Sequence, residues 1–171
     1  MGDLISSAGL ADSVNSTIKK RVGKVYSLID EIIAVVEDFM CNSLGGILVG
    51  LDLCELAVIP FLMNNSETWT EADKEAIAQL ENIQNRFLRR LLATPWSTPT
   101  PSLCWETGTS TMINRIILKK LTFYHHLLHL DDNSLAKQIF NIEEKLSYPG
   151  LVKECRELMQ ELLVKSSGNL L

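Results

Sequence analysis

The clearest pattern is a run of apolar residues that recur at alternating intervals of four and three near the start of the chain. The series is Ile18, Val22, Val25, Ile29, Ile32, Val36 and Phe39. This spacing keeps one apolar stripe on one side of an α-helix. We predict a helix that has Ser13 as its N-cap and stops near Asn42, Ser43 and Gly45–Gly46. The regular spacing also fits a coiled-coil seam, but Gly23 and the short length favour a helix packed inside one domain.

Residues 44–63 are nearly all apolar and are long enough to span a membrane. Asp52 and Glu55 lie near the middle of this segment, where each charge would cost about 2.5–3.5 kcal/mol in lipid. Pro60 would also kink a spanning helix. We therefore predict a central buried helix and no membrane association.

The rest of the chain also has helical patterns, and no alternating strand pattern of useful length occurs. Thr70 and Asp73 predict the start of a third helix that ends near Arg90, and three prolines make residues 93–101 a connector. Further helices are predicted over 111–130, 133–146 and 150–164, with a short turn over 102–107 that Gly108 closes. The predicted fold is all-α, a single compact bundle of about six helices over residues 1–171. We also predict a short extended stub at the N-terminus and a flexible tail over 165–171.

Composition restricts the class of protein further. A chain of 171 residues has room for one ordinary domain, and a net charge of −5 argues against a generally basic nucleic-acid coat. The first twenty residues lack a signal peptide, and the cysteines are scattered without close spacing. These features favour an intracellular protein, nuclear or cytoplasmic, with reduced thiols.

No motif for independent catalysis occurs. Asp131 and Asp132 follow one predicted helix and precede another, so helix capping is their expected role. His125 and His129 share a helix face, but neither they nor His126 have a cysteine or carboxylate at ligand spacing. We therefore expect no enzyme activity, no catalytic residue, no cofactor and no structural metal.

Basic residues are unevenly distributed. From Asn85 to His129 there are six basic residues and one acid, a charge of +5, so the remainder carries −10. Aromatic residues and histidines lie in the same segment, a combination that can follow a phosphate backbone. The candidate nucleic-acid-binding residues are Lys19, Lys20, Arg21, Lys24, Arg86, Arg89, Arg90, Arg115, Lys119 and Lys120. A solubilising surface around core aromatics explains the same composition equally well.

Several strings, in order, resemble one family. They are Gly2-Asp3-Leu4-Ile5, Phe61–Trp69, Leu80–Leu92, Ser97-Thr98-Pro99 with Trp105–Gly108, Lys119–Leu128 and Ser134–Phe140. This ordered set, from residue 2 to about residue 163, resembles the region after the polymerase palm in reverse transcriptases of non-long-terminal-repeat (LINE-type) retrotransposons. Asn64-Asn65 stands where the family usually has Tyr-Gly, and Thr107 where leucine is common.

The resemblance implies a non-catalytic helical thumb that grips an RNA or RNA–DNA template–primer duplex through its backbone. Residues 1–10 would be the remnant of the palm-to-thumb junction, and the palm's catalytic aspartates are absent from this chain. The alternative is a domesticated or fragmentary element that serves as a helical protein-interaction module without nucleic-acid binding. In that case the Ile18–Phe39 stripe would bind a protein partner or form a homodimer.

Overall fold

The computed structural model describes residues 10–40, 44–69, 74–146 and 150–168. Its α-helices are α1 (Leu10–Met40), α2 (Leu44–Leu53), α3 (Ile59–Leu62), α4 (Lys74–Leu91), α5 (Thr100–Thr107), α6 (Met112–Leu128), α7 (Leu135–Leu146) and α8 (Leu151–Gly168). A π-helical turn, Cys54–Val58, joins α2 to α3, and Ser66–Thr68 form a 3₁₀ turn. These ranges contain no strand, which confirms the all-α prediction. The predicted N-terminal stub and the Thr70 N-cap lie outside the described residues.

The described helices form two compact units. Unit 1 comprises Met1–Asn64 and Glu71–Arg115, and unit 2 comprises Asn65–Thr70 and Ile116–Leu171. At the C-terminus, α8 continues to Gly168, so the helix extends into the predicted tail 165–171. The predicted junction remnant 1–10 lies outside the described residues except for its last residue, which begins α1.

Helix α1 forms the centre of unit 1. The apolar stripe predicted from the sequence is buried from Ile18 to Val36, and α1 packs against α2 and α4. The stripe therefore lies in the core of the chain itself, where neither a partner protein nor a second copy can reach it without opening unit 1. Ser13 is a buried residue inside α1 rather than its N-cap, since the helix begins at Leu10. Gly45 and Gly46 lie within α2 and do not stop α1.

The apolar segment after α1 is buried along one side only. Its buried positions recur every four residues: Gly46, Gly50, Cys54, Val58 and Leu62. Four residues overshoot an α-helical turn by about 40°, so this spacing drifts around a regular α-helix. The wider π turn, in which Ile59 N–H donates to Cys54 O, offsets that drift. The result is one continuous buried line.

The other side of this segment is exposed. Leu44–Leu62 is long and apolar enough to cross a membrane by length and composition, and 28 % of it is buried. Leu44, Leu48 and Leu56 are exposed, as are Asp52 and Glu55. The expectation of a centrally buried helix is therefore correct for one face and wrong for the other.

Gly50 lies where α2 closely approaches side chains of α1 and α4. A Cβ atom built at this position would lie 2.5 Å from Leu91 Cδ1 and 3.3 Å from Val36 Cγ2. Only a residue without a side chain lets α2 approach α1 and α4 this closely.

We expect Gly50→Ala to lower the free energy of unfolding by about 1–3 kcal/mol, because the Leu91 side chain must move to admit the new methyl group. Gly23→Ala is the matched control, since a Cβ there meets nothing within 4 Å. That change should raise stability by about 0.5–1 kcal/mol through helix propensity alone. Urea titration of both variants measures the contrast, and equal stabilisation by the two would contradict the close approach.

The end of the apolar segment is capped by a cation from α1. Arg21 is 8 % exposed, and its guanidinium donates to the backbone oxygens of Leu62 and Asn64. Carbonyls at a helix C-terminus have no partner within the helix, and leaving them buried and unpaired is costly. Arg21 supplies the donors that allow this end of the helix to be buried.

Unit 2 has its own core, formed by Tyr124, Leu127, Phe140, Val152 and Cys155. The Tyr124 and Phe140 rings lie 5.6 Å apart between α6 and α7. Partly buried side chains of α6 and α8 surround this cluster. Helices α6, α7 and α8 therefore fold around one small apolar centre.

The C-terminus of α6 has a complete set of donors for its last four carbonyls. The Lys137 ammonium donates to Leu127 O at 3.2 Å and to Leu128 O at 2.6 Å. His129 supplies the other two donors: its ring bonds to His125 O and its backbone N–H to His126 O. Lys137 is buried, and its ammonium also lies 5.0 Å from the centre of the Phe140 ring.

We expect Lys137→Met to lower the free energy of unfolding by about 1–3 kcal/mol, because it keeps the aliphatic stem but leaves two carbonyls without donors. Lys145→Met, at an exposed position of the same helix, should change stability by less than about 0.5 kcal/mol. Chemical denaturation of both variants tests this difference. Similar small effects for the two would show that Lys137 does not cap α6.

Candidate nucleic-acid interface

Two of the ten candidate cations are buried and do not belong to the surface. Arg21 caps the apolar helix, and Lys120 is 5 % exposed with its ammonium 2.5 Å from Glu154 Oε1. Both side chains are held by partners within their own unit. Neither can contact a phosphate without breaking those bonds, so we exclude both from the interface predicted from the sequence.

Carboxylates neutralise much of the basic segment. The ion pairs are Arg90 with Asp30, Arg115 with Glu55, Lys119 with Glu67 and Lys120 with Glu154. Arg115 binds both carboxylate oxygens of its partner, one of them at 2.9 Å, whereas the Lys119 pair is looser at 3.8 Å. All four acids lie outside residues 85–129, so the +5 of that segment is not a surface charge of the same size.

Two arginines of α4 are held by aromatic rings instead. The Arg86 guanidinium carbon lies 5.1 Å from the centre of the Tyr26 ring, and that of Arg89 lies 5.6 Å from the centre of the Trp96 ring. Arg89 also donates to Thr98 O at 2.9 Å. A ring orients a guanidinium without cancelling its charge. Among the described residues, Arg86 and Arg89 have no carboxylate partner and keep their positive charge at the surface.

The lysines of α1 divide between two sides of the helix. Lys19, Lys20 and Lys24 are all exposed. Lys19 precedes Tyr26 by two turns, so it lies on the same side of α1, about 10 Å along the axis. Lys20 and Lys24 lie one turn apart on a different side. We define the α1–α4 basic surface as Lys19, Tyr26, Arg86, Arg89 and Trp96.

The connector after α4 positions Trp96. Thr94 N–H donates to Arg89 O and Ala93 N–H to Arg90 O, a Schellman ending in which Ala93 adopts φ 50°. The chain then folds back so that Trp96, 70 % exposed, lies beside Arg89. The prediction that residues 93–101 form a connector is correct up to Pro99, and α5 then begins at Thr100. The predicted turn over 102–107 is the rest of α5, and Gly108 ends it with φ 65°.

Unit 2 contributes an open groove instead of a second basic surface. Its volume is about 410 Å³, and its lining residues are Glu67, Leu118, Lys119, Thr122, Phe123 and His126. The lining is mostly apolar, and its one lysine is paired with its one carboxylate. The groove therefore offers no uncompensated lysine to a phosphate.

Two of the described cysteines, Cys54 and Cys155, are poor nucleophiles. Burial raises the pKa of the Cys54 thiol to about 12, aided by the neighbouring Glu55 and opposed by Arg115. Burial likewise raises the pKa of the Cys155 thiol to about 11, with Glu154 adding to the effect and Lys120 opposing it. Cys104 is partly exposed, and Cys41 lies outside the described residues. Within the described ranges, no group of three or more His, Cys, Asp or Glu side chains is placed to hold a metal ion.

At pH 8 we expect Cys104 to be alkylated by iodoacetamide well before Cys54 and Cys155. The raised pKa values leave about a thousandth or less of the two buried thiols as reactive thiolate. Peptide mass spectrometry at timed intervals resolves the order. Reaction of Cys155 as fast as Cys104 in the folded protein would contradict its burial.

Comparisons with protein-family models, curated proteins and solved structures give no match for this chain. Arg86, Arg89 and Lys19 were candidates from the sequence, and Trp96 is one of the aromatic residues of the basic segment, whereas the ring of Tyr26 was not predicted. The signal available for Tyr26 was its position on the polar side of α1, seven residues after Lys19. Asp131 does not cap α7 as predicted: its Oδ1 accepts from Asn133 N–H in the turn before the helix, and Ser134 Oγ accepts from Lys137 N–H at the helix start.

Proposed function

We propose that this chain is a non-enzymatic module that binds RNA or an RNA–DNA duplex through the α1–α4 basic surface. The observation that carries the proposal is the way Arg86 and Arg89 are held. Both are oriented by aromatic rings, and neither is neutralised by a carboxylate among the described residues. Guanidinium groups of this kind are suited to bidentate contacts with phosphate oxygens. The resemblance to the thumb of LINE-type reverse transcriptases supports the same ligand.

The expected binding is weak and independent of sequence, because phosphate contacts position a duplex without reading its bases. Non-specific affinities of this kind are typically about 10⁻⁴–10⁻⁶ M at physiological salt, and a net charge of −5 favours the weak end. Lys19, Arg86 and Arg89 offer three phosphate contacts. They predict a slope of roughly −3 for log K against log salt.

The decisive comparison is between arginines held by rings and arginines paired with acids. We expect Arg86→Gln with Arg89→Gln to weaken binding of a fluorescent RNA–DNA hybrid at about 50 mM salt and to flatten the salt slope by about two units. The control, Arg90→Gln with Arg115→Gln, removes the same charge from groups already paired with Asp30 and Glu55. It should weaken binding much less, because these two charges are already offset by their carboxylates and only the repulsion by the two released acids is added.

Fluorescence anisotropy gives the affinities, and circular dichroism verifies that each variant keeps its helicity. Equal weakening by the two double variants would indicate a general charge effect rather than this surface. Absence of binding by the unaltered chain at about 50 mM salt would reject the proposed function.

A second candidate, the protein-interaction module, is favoured by α7. This helix has a second apolar stripe of spacing four, three, four, with each side chain 49–72 % exposed: Leu135, Ile139, Ile142 and Leu146. Such spacing is typical of a seam between two helices, and α7 is a suitable length for a partner helix of three turns. If this candidate is right, Ile139→Glu should abolish a concentration-dependent increase in mass that sedimentation detects. A monomer at all concentrations would exclude self-association through α7.

A further inference from the structure

The C-terminal end of α6 presents two histidines that the proposed function does not use. The His125 and His129 rings are one turn apart, with their centroids 4.2 Å apart and their planes at 34°. Both residues are exposed at the surface of unit 2. The two imidazoles are therefore already side by side and open to solvent.

The hydrogen bond of His129 fixes which of its ring nitrogens is available. Nδ1 lies 2.8 Å from His125 O, and a carbonyl oxygen can only accept a hydrogen bond. Nδ1 therefore carries the proton, and in the neutral ring Nε2 keeps its lone pair. Metal-binding histidines in proteins commonly have this arrangement, in which a backbone carbonyl holds the other ring nitrogen and orients the ligand.

We propose that His125 and His129 form an exchangeable site for a divalent transition metal ion of the Ni²⁺, Cu²⁺ and Zn²⁺ class. Neutral imidazole nitrogens suit these ions, whereas Mg²⁺ and Ca²⁺ prefer oxygen ligands. Two ligands four residues apart, one in the last turn of α6 and one directly after it, bind the ion as a chelate, and water completes the coordination. The fold does not depend on the ion, since the core of unit 2 is closed by Tyr124, Phe140 and their neighbours.

The surroundings show why the site has two protein ligands. His126 lines the groove beside Phe123. The Asp131 carboxylate beyond the helix end accepts from Asn133 N–H. Within the described residues no third histidine, cysteine or carboxylate completes a cluster. The site is therefore distinct from a closed structural zinc centre, which has four protein ligands.

The test uses the full chain without a polyhistidine tag, with Ni²⁺ as the probe and Cys104 replaced by serine to exclude thiol binding. We expect one Ni²⁺ per chain by isothermal titration calorimetry and no heat of binding with Mg²⁺. His125→Ala should lower the Ni²⁺ affinity about tenfold or more, since it converts a chelate into a single ligand. It leaves the His129 ring and its bond to the helix carbonyl in place, so a loss of affinity cannot come from a lost cap.

His126→Ala is the matched control, because it removes a neighbouring exposed histidine and should leave the Ni²⁺ affinity unchanged. Selective paramagnetic broadening of the His125 and His129 ring signals in NMR would support the assignment. Equal losses from His125→Ala and His126→Ala, or no Ni²⁺ binding by the chain, would overturn it.

Discussion

Buried cations at helix C-termini are the interactions on which both units depend. A helix end inside a protein exposes carbonyls that have no partner in the helix, and a side chain from elsewhere must bond to them. Arg21 does this for the apolar helix of unit 1, and Lys137 does it for α6 of unit 2. A charged donor suits the task because its hydrogen bonds are stronger than neutral ones and because it faces the negative end of a helix dipole. Two residues that appear in the sequence as surface charges therefore hold the helices in place.

The parts of the fold that depend on local rules could be predicted from the sequence, and those that depend on distant neighbours could not. Helix α1 and the turn closed by Gly108 follow from local rules, since period and turn chemistry are visible in short windows. The boundary at Ser13 and the buried face of residues 44–63 depend on neighbours distant in the chain. The period of four from Gly46 to Leu62 was visible in the sequence. Its meaning was not, because it requires a π turn that no local residue pattern specifies.

Which cations of the candidate surface stay unpaired could likewise not be predicted from the sequence. Counting arginines and lysines treats Arg86 and Arg90 as equivalent, although one lies over a tyrosine ring and the other pairs with Asp30. The difference arises from which residues of α1 face α4. Lys120 illustrates the extreme case, since it is buried beside Glu154 of another helix. Local charge density therefore overestimates how much positive charge the folded segment leaves without a paired carboxylate.

The π turn gives the chain an unusual tolerance to change in length. A π turn holds one residue more than the α-helical turn it replaces, so deleting one residue within Cys54–Val58 would restore a regular helix. Leu62 would then follow Cys54 by seven residues, which is within about 20° of two full α-helical turns, so it would stay on the buried line. Its carbonyl would remain on the side of the helix that Arg21 faces. The length of this segment can therefore change by one residue without a change of its buried face.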